Sequence, residues 1–119
     1  MSTMQRICGN IHLEKETPSF SDATLYVYLE NETYADADSM IMATYKTTGV
    51  RYHSKIRNSF PFEIVCKDIN PSDRYAIRVH IDIDRDGKVS RGDFINKQSY
   101  PVITFGYPNE ISIIVHQIN

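Results

Sequence analysis

Tyr75-Ala-Ile-Arg-Val-His-Ile-Asp-Ile83 is the stretch that decides the fold. Tyr75, Ile77, Val79, Ile81 and Ile83 fall on one face of an extended chain, with Arg78, His80, Asp82 and Asp84 on the other. That is the period of two expected of a half-buried strand, and it excludes a helix, whose apolar residues recur every three to four positions. The same alternation runs outward in both directions. Ala23, Leu25, Val27 and Leu29 share a face, as do Phe60, Phe62 and Ile64, and Ile111, Ile113 and Val115. Cys8 to Leu13 repeats it weakly, and Met40 to Tyr45 reads as a further strand, although Met-Ile-Met-Ala would also suit a short helix. Tyr100 to Phe105 carries Pro101, which marks an edge strand, a strand start or a bulge.

Between these runs lie turn-rich or polar segments: Glu14–Ser21, Glu30–Asp38, Thr47–Ser59 and Asp68–Asp73. Seven or eight short strands without a long helix predict an all-β, antiparallel β-sandwich forming a single domain over residues 1–119. A net charge of -2 gives no drive toward nucleic acid, and no apolar run approaches the ~18 residues of a membrane span. Met1-Ser-Thr-Met-Gln-Arg6 lacks the apolar core of an export signal, which predicts a cytoplasmic product if the chain is complete. Cys8 and Cys66 are too few for a disulfide framework and lie in apolar, strand-like surroundings. They read as buried free thiols, with one disulfide open to them in an exported protein.

The most distinctive chemistry begins where the central strand ends, at Asp82-Ile-Asp-Arg-Asp-Gly-Lys-Val-Ser-Arg-Gly-Asp93. A calcium loop presents oxygen ligands at fixed offsets along 12 residues, with glycine at the sixth place for a sharp turn. In that register Asp82, Asp84 and Asp86 stand first, third and fifth, and Gly87 stands sixth. The Lys88 carbonyl takes the seventh place, Ser90 acts through water at the ninth, and Asp93 closes the loop at the twelfth. Asp at the last place, where a bidentate Glu is usual, predicts weak binding, and entry from a strand removes the usual flanking helices. The alternative is a plain hairpin turning at Asp86-Gly87 through a type I′ turn, with Asp82 opposite Arg91 as an ion pair.

Other chemistry is thin. His12, His53, His80 and His116 lack metal-ligand spacing in sequence, although His80 and His116 would meet if their strands were neighbours. There is no phosphate-binding glycine loop and no Gly-x-Ser-x-Gly elbow, and nothing marks either cysteine as an activated nucleophile. Arg91-Gly92-Asp93 spells an adhesion tripeptide that short chance matches also produce. Tyr26 and Tyr28 project from one face as a platform for a sugar or peptide, or as ordinary cross-strand packing. Basic Lys46–Arg57 and acidic Glu30–Asp38 are candidate contact surfaces. The expectation is a non-enzymatic binding module with a protein partner, and the alternative is a calcium-binding β-sandwich.

Gly9-Asn-Ile11, Ala23–Leu29 followed by Glu30-Asn-Glu32, Phe60-Pro-Phe-Glu-Ile64, Tyr75–Ile81 and Tyr100-Pro-Val102 together resemble the YbaY-like and YscW-like bacterial lipoproteins, which include the pilotins of type III secretion. The resemblance runs from about Gly9 to the end of the chain. It implies a small β-sandwich without enzymatic activity, in the periplasm or at the outer membrane. Two departures stand out: Gln5-Arg6-Ile7 before Cys8 is not a lipid-attachment motif, and Thr47–Ser59 is longer than its counterpart.

Overall fold

The computed structural model describes residues 4–14, 17–34, 39–53, 55 and 59–119. Each alternating run becomes a strand. They are β1 (Met4–Leu13), β2 (Phe20–Asn31), β3 (Met40–Tyr52), β4 (Ser59–Lys67), β5 (Tyr75–Asp82), β6 (Phe94–Ile95), β7 (Pro101–Val102) and β8 (Glu110–Gln117). The described residues contain no helix. Met40–Tyr45, ambiguous in sequence, is the first half of a 13-residue strand. That strand absorbs the start of the expected polar connection from Thr47, leaving only the far part of Thr47–Ser59 between strands.

The strands form one hydrogen-bonded sheet in the order β3-β2-β5-β6-β8-β1-β4, with β7 also paired to β5. All pairings are antiparallel except β1 with β8, which run parallel from Cys8↔Glu110 to Leu13↔Val115. The expected antiparallel sandwich is therefore corrected on two points. The sheet is continuous across β6 and β8, and one central pairing is parallel. The sheet curls into a nearly closed, barrel-like form in which the end strands β3 and β4 meet without a ladder between them.

The curl has a local origin. Ala23 pairs with Val50 and Leu25 with Thr47, so Thr48 and Gly49 together oppose Thr24. Gly49 adopts φ +66°, a conformation glycine enters without steric cost. Such a bulge bends its strand and deepens the local twist, and it is one of three register shifts along the β2–β3 ladder that favour curling. Pro61 lies within β4, a place open to proline because β4 is an edge strand.

The core lies inside the curl. Ile7, Ile11, Ala23, Val27, Leu29, Val79, Ile81, Val102, Ile113 and Val115 are fully enclosed. At the end of the barrel away from Met4, Phe20 stacks on Tyr52 at 5.7 Å and leans on Phe94 at 5.5 Å. Gly9 marks the tightest approach, since a Cβ placed there would lie 1.9 Å from the Ile111 carbonyl oxygen and 3.1 Å from the Phe62 ring. The parallel crossing of β1 and β8 depends on that missing side chain.

Cys8 and Cys66 are both free. Cys66 is buried on the core side of β4 opposite Gln5, whereas Cys8 pairs with Glu63 farther along the ladder. The register keeps the two thiols apart, so no disulfide joins them. Burial pushes the Cys66 thiol pKa up, with a further contribution from nearby Asp68.

Candidate functional site

The Asp82–Asp93 stretch is a loop joining β5 to β6, and its ladder ends at Ile81↔Phe94. The plain-hairpin reading is thereby corrected. A type I′ turn needs positive φ at both Asp86 and Gly87, but in this loop the positive values fall on Arg85 (58°), Gly87 (79°) and Gly92 (95°). The expected Asp82–Arg91 pairing gives way to hydrogen bonds from the loop's own amides to its two terminal carboxylates.

Those carboxylates are fully buried: Asp82 and Asp93 both have 0% exposure. Asp82 Oδ1 accepts from the Arg85 amide at 3.0 Å and Oδ2 from the Gly87 amide at 2.8 Å. Asp93 Oδ1 accepts from the Ile83 amide at 2.9 Å. Its Oδ2 accepts from the Ser90 amide at 3.1 Å and from His80 Nε2 at 2.8 Å. A buried carboxylate is tolerated only with such donors, so the loop is built around Asp82 and Asp93 from within. The C-terminus fixes its far limb, because Gly92 N donates to Ile118 O at 2.9 Å and Ile118 N donates to Asp93 O at 2.8 Å.

Asp84 and Asp86 are exposed, and one carboxylate oxygen from each of Asp82, Asp84, Asp86 and Asp93 lies within 4.8 Å of the other three. Two oxygens on opposite sides of a calcium ion at about 2.3–2.6 Å are separated by at most about 5 Å, so the spacing fits that ion. Ser90 Oγ stands 3.4 Å from both Asp84 Oδ2 and Asp93 Oδ2, the place expected of a ninth-position residue. Lys88 follows Gly87 on the exposed limb, its amide bonded to Asp86 Oδ1 at 2.9 Å. All six candidate residues thus share one loop, with Asp82 and Asp93 as its scaffold and Asp84 and Asp86 at its mouth. His80, Asp82 and Asp93 form a second, fully buried group of potential ligands.

Sequence reasoning missed His80 as a partner of the loop. A meeting with His116, conditional on their strands being neighbours, does not occur, because Ile95 of β6 stands between them, paired to each. His116 instead contacts Glu14 at 2.7 Å. A histidine on the polar face of the longest alternating strand, two residues before the loop, was the available signal.

Tyr26 and Tyr28 do share the outer face, with rings 5.9 Å apart and nearly parallel, and His80 continues the stack at 5.7 Å from Tyr26. Lys46 lies over Tyr26 and Arg78 over Tyr28, at 5.5 and 4.4 Å from the ring centroids. Arg78 is held by Glu30 at 2.9 Å. The two rings are thus engaged in cross-strand packing with cationic neighbours. Of the basic segment, Lys46 and Arg51 lie on β3, while Arg57 is outside the described residues, as are Asp36 and Asp38 of the acidic segment.

The seam between β3 and β4 has no ladder across it among the described residues. A cleft of about 200 Å³ opens there, with Leu25, Tyr45, Val50 and Phe60 as its apolar lining and Thr47, Thr48 and Arg51 at its polar margin. Unpaired strand edges are templates for another extended chain, because their amides and carbonyls retain hydrogen-bonding capacity.

No curated protein sequence matches the chain. Among solved structures, an alternative pilotin from the type II secretion system of Vibrio cholerae superposes with a TM-score of 0.78 at 22% identity, over 98% of this chain and 99% of that one. At that identity the likeness establishes the fold, including its curled, nearly closed sheet. A model of the type III secretion system lipoprotein chaperone (YscW) matches residues 2–115. The parallel β1–β8 crossing at Gly9, the β2–β5 centre and the Tyr100-Pro-Val segment all lie within that match, and the chain belongs to the YscW family of secretion lipoprotein chaperones.

Proposed function

We propose that this protein is a non-enzymatic accessory chaperone of a secretion apparatus, and that it holds an extended segment of a client protein along the seam between β3 and β4. The observation that carries this reading is the failure of the curled sheet to close. Two edge strands face one another without a ladder, above the apolar cleft lined by Leu25, Tyr45, Val50 and Phe60. A strand added there gains main-chain hydrogen bonds from the β3 edge, and its alternate side chains enter the cleft. The family supports the chaperone role, and the Vibrio cholerae pilotin shares the architecture.

A photo-crosslinking residue tests the site. Placed at Thr48 on the seam, it is expected to link to a secretion component in cells carrying the protein's own apparatus. Placed at Ser112 on the outer face of β8, it is expected to give no such product. Equal products from the two positions, or a product from Ser112 alone, would reject the seam as the docking site.

A second reading is a weak calcium-dependent module, favoured by the clustering of Asp82, Asp84, Asp86 and Asp93 oxygens within 4.8 Å. Extracellular calcium modules bind with dissociation constants of about 0.1–1 mM. At ten times the dissociation constant, calcium adds about 1.4 kcal/mol to stability. Chelator-treated protein should therefore melt higher with added calcium, and Asp84→Ala should remove the increment while leaving the Asp82–Asp93 scaffold intact. No calcium-induced shift at 10 mM would eliminate this reading.

A further inference from the structure

The exposed apolar side chains of this protein are not scattered. Six of the large ones among the described residues gather at one end of the barrel: Met4, Tyr34, Met40, Ile41, Phe105 and Tyr107, with exposures between 46% and 70%. They come from different parts of the chain that the hydrogen bonding ties together. Glu32 N donates to Arg74 O at 2.8 Å, and the Arg74 amide donates to Thr33 Oγ1 at 3.0 Å. Thr104 Oγ1 donates to Asp73 O at 2.7 Å. Gln5 of β1, Ile69 and Phe105 border one cavity. The start of β1, the described part of the β2–β3 connection (32–34 and 39) and the β4–β5 and β7–β8 connections therefore share this end, opposite the Asp82–Asp93 loop.

The β7–β8 connection shows that the exposure is built. Ile103, Phe105 and Gly106 all take positive φ, at 62°, 56° and 82°. For non-glycine residues that conformation costs on the order of 1 kcal/mol or more each. The strain is held by Ile103 N donating to Pro108 O at 3.0 Å and Tyr107 N donating to Thr104 O at 3.0 Å. The turn seats Ile103 against the core and buries Thr104, while Phe105 stays 59% exposed, covered in part by the Arg74 guanidinium 5.3 Å from its ring centroid. The same turn leaves the Phe105 and Tyr107 rings at the surface, beside Glu32 and Arg74.

We infer that this end of the barrel rests on a lipid bilayer, with Phe105, Tyr107 and their apolar neighbours entering its interfacial layer. Three observations select a membrane over another occupant. The chain enters β1 at this end, at Met4, and its family is one of lipoprotein chaperones, proteins that work at a membrane. The apolar groups come from several separate segments of the chain at this end, not from the face of one strand. Aromatic rings edged by a cation suit the headgroup boundary, where the ring is buried and the charge meets phosphate. The nearby charges are mixed (Lys67 and Arg74 with Glu32, Asp68, Asp73 and Glu110), so binding does not depend on anionic lipid. The inference is independent of client docking, because the cleft at Thr47–Arg51 and Phe60 lies toward the other end.

The native chain has no tryptophan, which allows single reporters. The full chain, held by an N-terminal histidine tag on phosphatidylethanolamine vesicles containing brominated phosphatidylcholine and a nickel-chelating lipid, carries Phe105→Trp, or Tyr107→Trp if the first fails to fold. Val89→Trp, in the loop at the opposite end, is the control. The expected result is strong quenching and a blue shift at 105 or 107 and neither at 89, unchanged by salt. For untagged protein, replacing Phe105 and Tyr107 together by Ser should lower partition onto the same vesicles by about tenfold or more. Equal quenching at both ends would overturn the inference. So would a shift at 105 that follows protein concentration without vesicles, which would identify a contact between copies of this chain.

Discussion

Asp93→Ala is the sharpest perturbation of the β5–β6 loop. The side chain is fully buried and accepts hydrogen bonds from His80 Nε2, the Ile83 amide and the Ser90 amide. Alanine leaves all three donors without that acceptor, and His80 itself is only 3% exposed. Each buried donor left unsatisfied costs about 1–3 kcal/mol. Water reaching Ser90 at the half-exposed end of the loop offsets part of this, so a loss of about 3–4 kcal/mol is expected. For a domain of this size that lowers the melting temperature by about 10–20 °C. Asp86→Ala is the comparator, because Asp86 is exposed and accepts only from the Lys88 amide at 2.9 Å in the hydrogen bonding described above. It should cost less than about 1 kcal/mol. Urea unfolding followed by circular dichroism, in chelator, measures both. Equal losses below about 1 kcal/mol would refute the argument that the loop is organised by its buried carboxylates.

Gly9→Ala should destabilise the fold by about 1–3 kcal/mol or more, because the new methyl meets the Ile111 backbone and one of the two must move. Gly87→Ala has open space around its Cβ, so its cost arises only from the positive φ of 79° and should be about 1 kcal/mol, measured in the same urea experiment. Alkaline stability should fall through Cys66. Its thiol pKa is raised by burial, so from the ordinary value of 9.0 upward the unfolded chain releases a proton that the folded chain retains. Stability is therefore fully present below that pH and declines above it. Tyr28, also raised by burial, adds to the decline above its ordinary 10.0. Cys66→Val should flatten the first part of the decline in melting temperature against pH, and an unchanged slope would remove Cys66 as its source.

The strands were legible because alternation is a local property. Leu25, Val27 and Leu29, like Ile77, Val79 and Ile81, read the same way in isolation as in the core. Sheet closure was not legible, since it depends on which strands become neighbours. Nothing in Ile111–Val115 announces a parallel partner in β1, and Gly9 gains its meaning only once Ile111 lies against it. Thr48-Gly49 looked like part of a polar connection because a bulge interrupts alternation just as a loop does. The Asp-rich loop was found by its spacing, which also placed Ser90 beside Asp84 and Asp93. The burial of Asp82 and Asp93 was not found, because a polar residue on a strand's outer face reads as solvent-facing until a loop covers it. The Phe105–Tyr107 turn was likewise hidden, since only its backbone conformation distinguishes displayed aromatics from packed ones.

The open seam is the centre of the functional account, and hydrogen exchange tests it directly. Among the described residues, no ladder covers the seam side of β3 or of residues 62–67 of β4, so amides pointing there should exchange far faster than those of β2 and β5, which are paired on both sides. When a secretion component identified by crosslinking at Thr48 is added, those seam amides should become protected, with β2 and β5 unchanged. Slow exchange across β3 and β4 in the free protein, or protection that appears elsewhere and leaves the seam unaffected, would contradict the account.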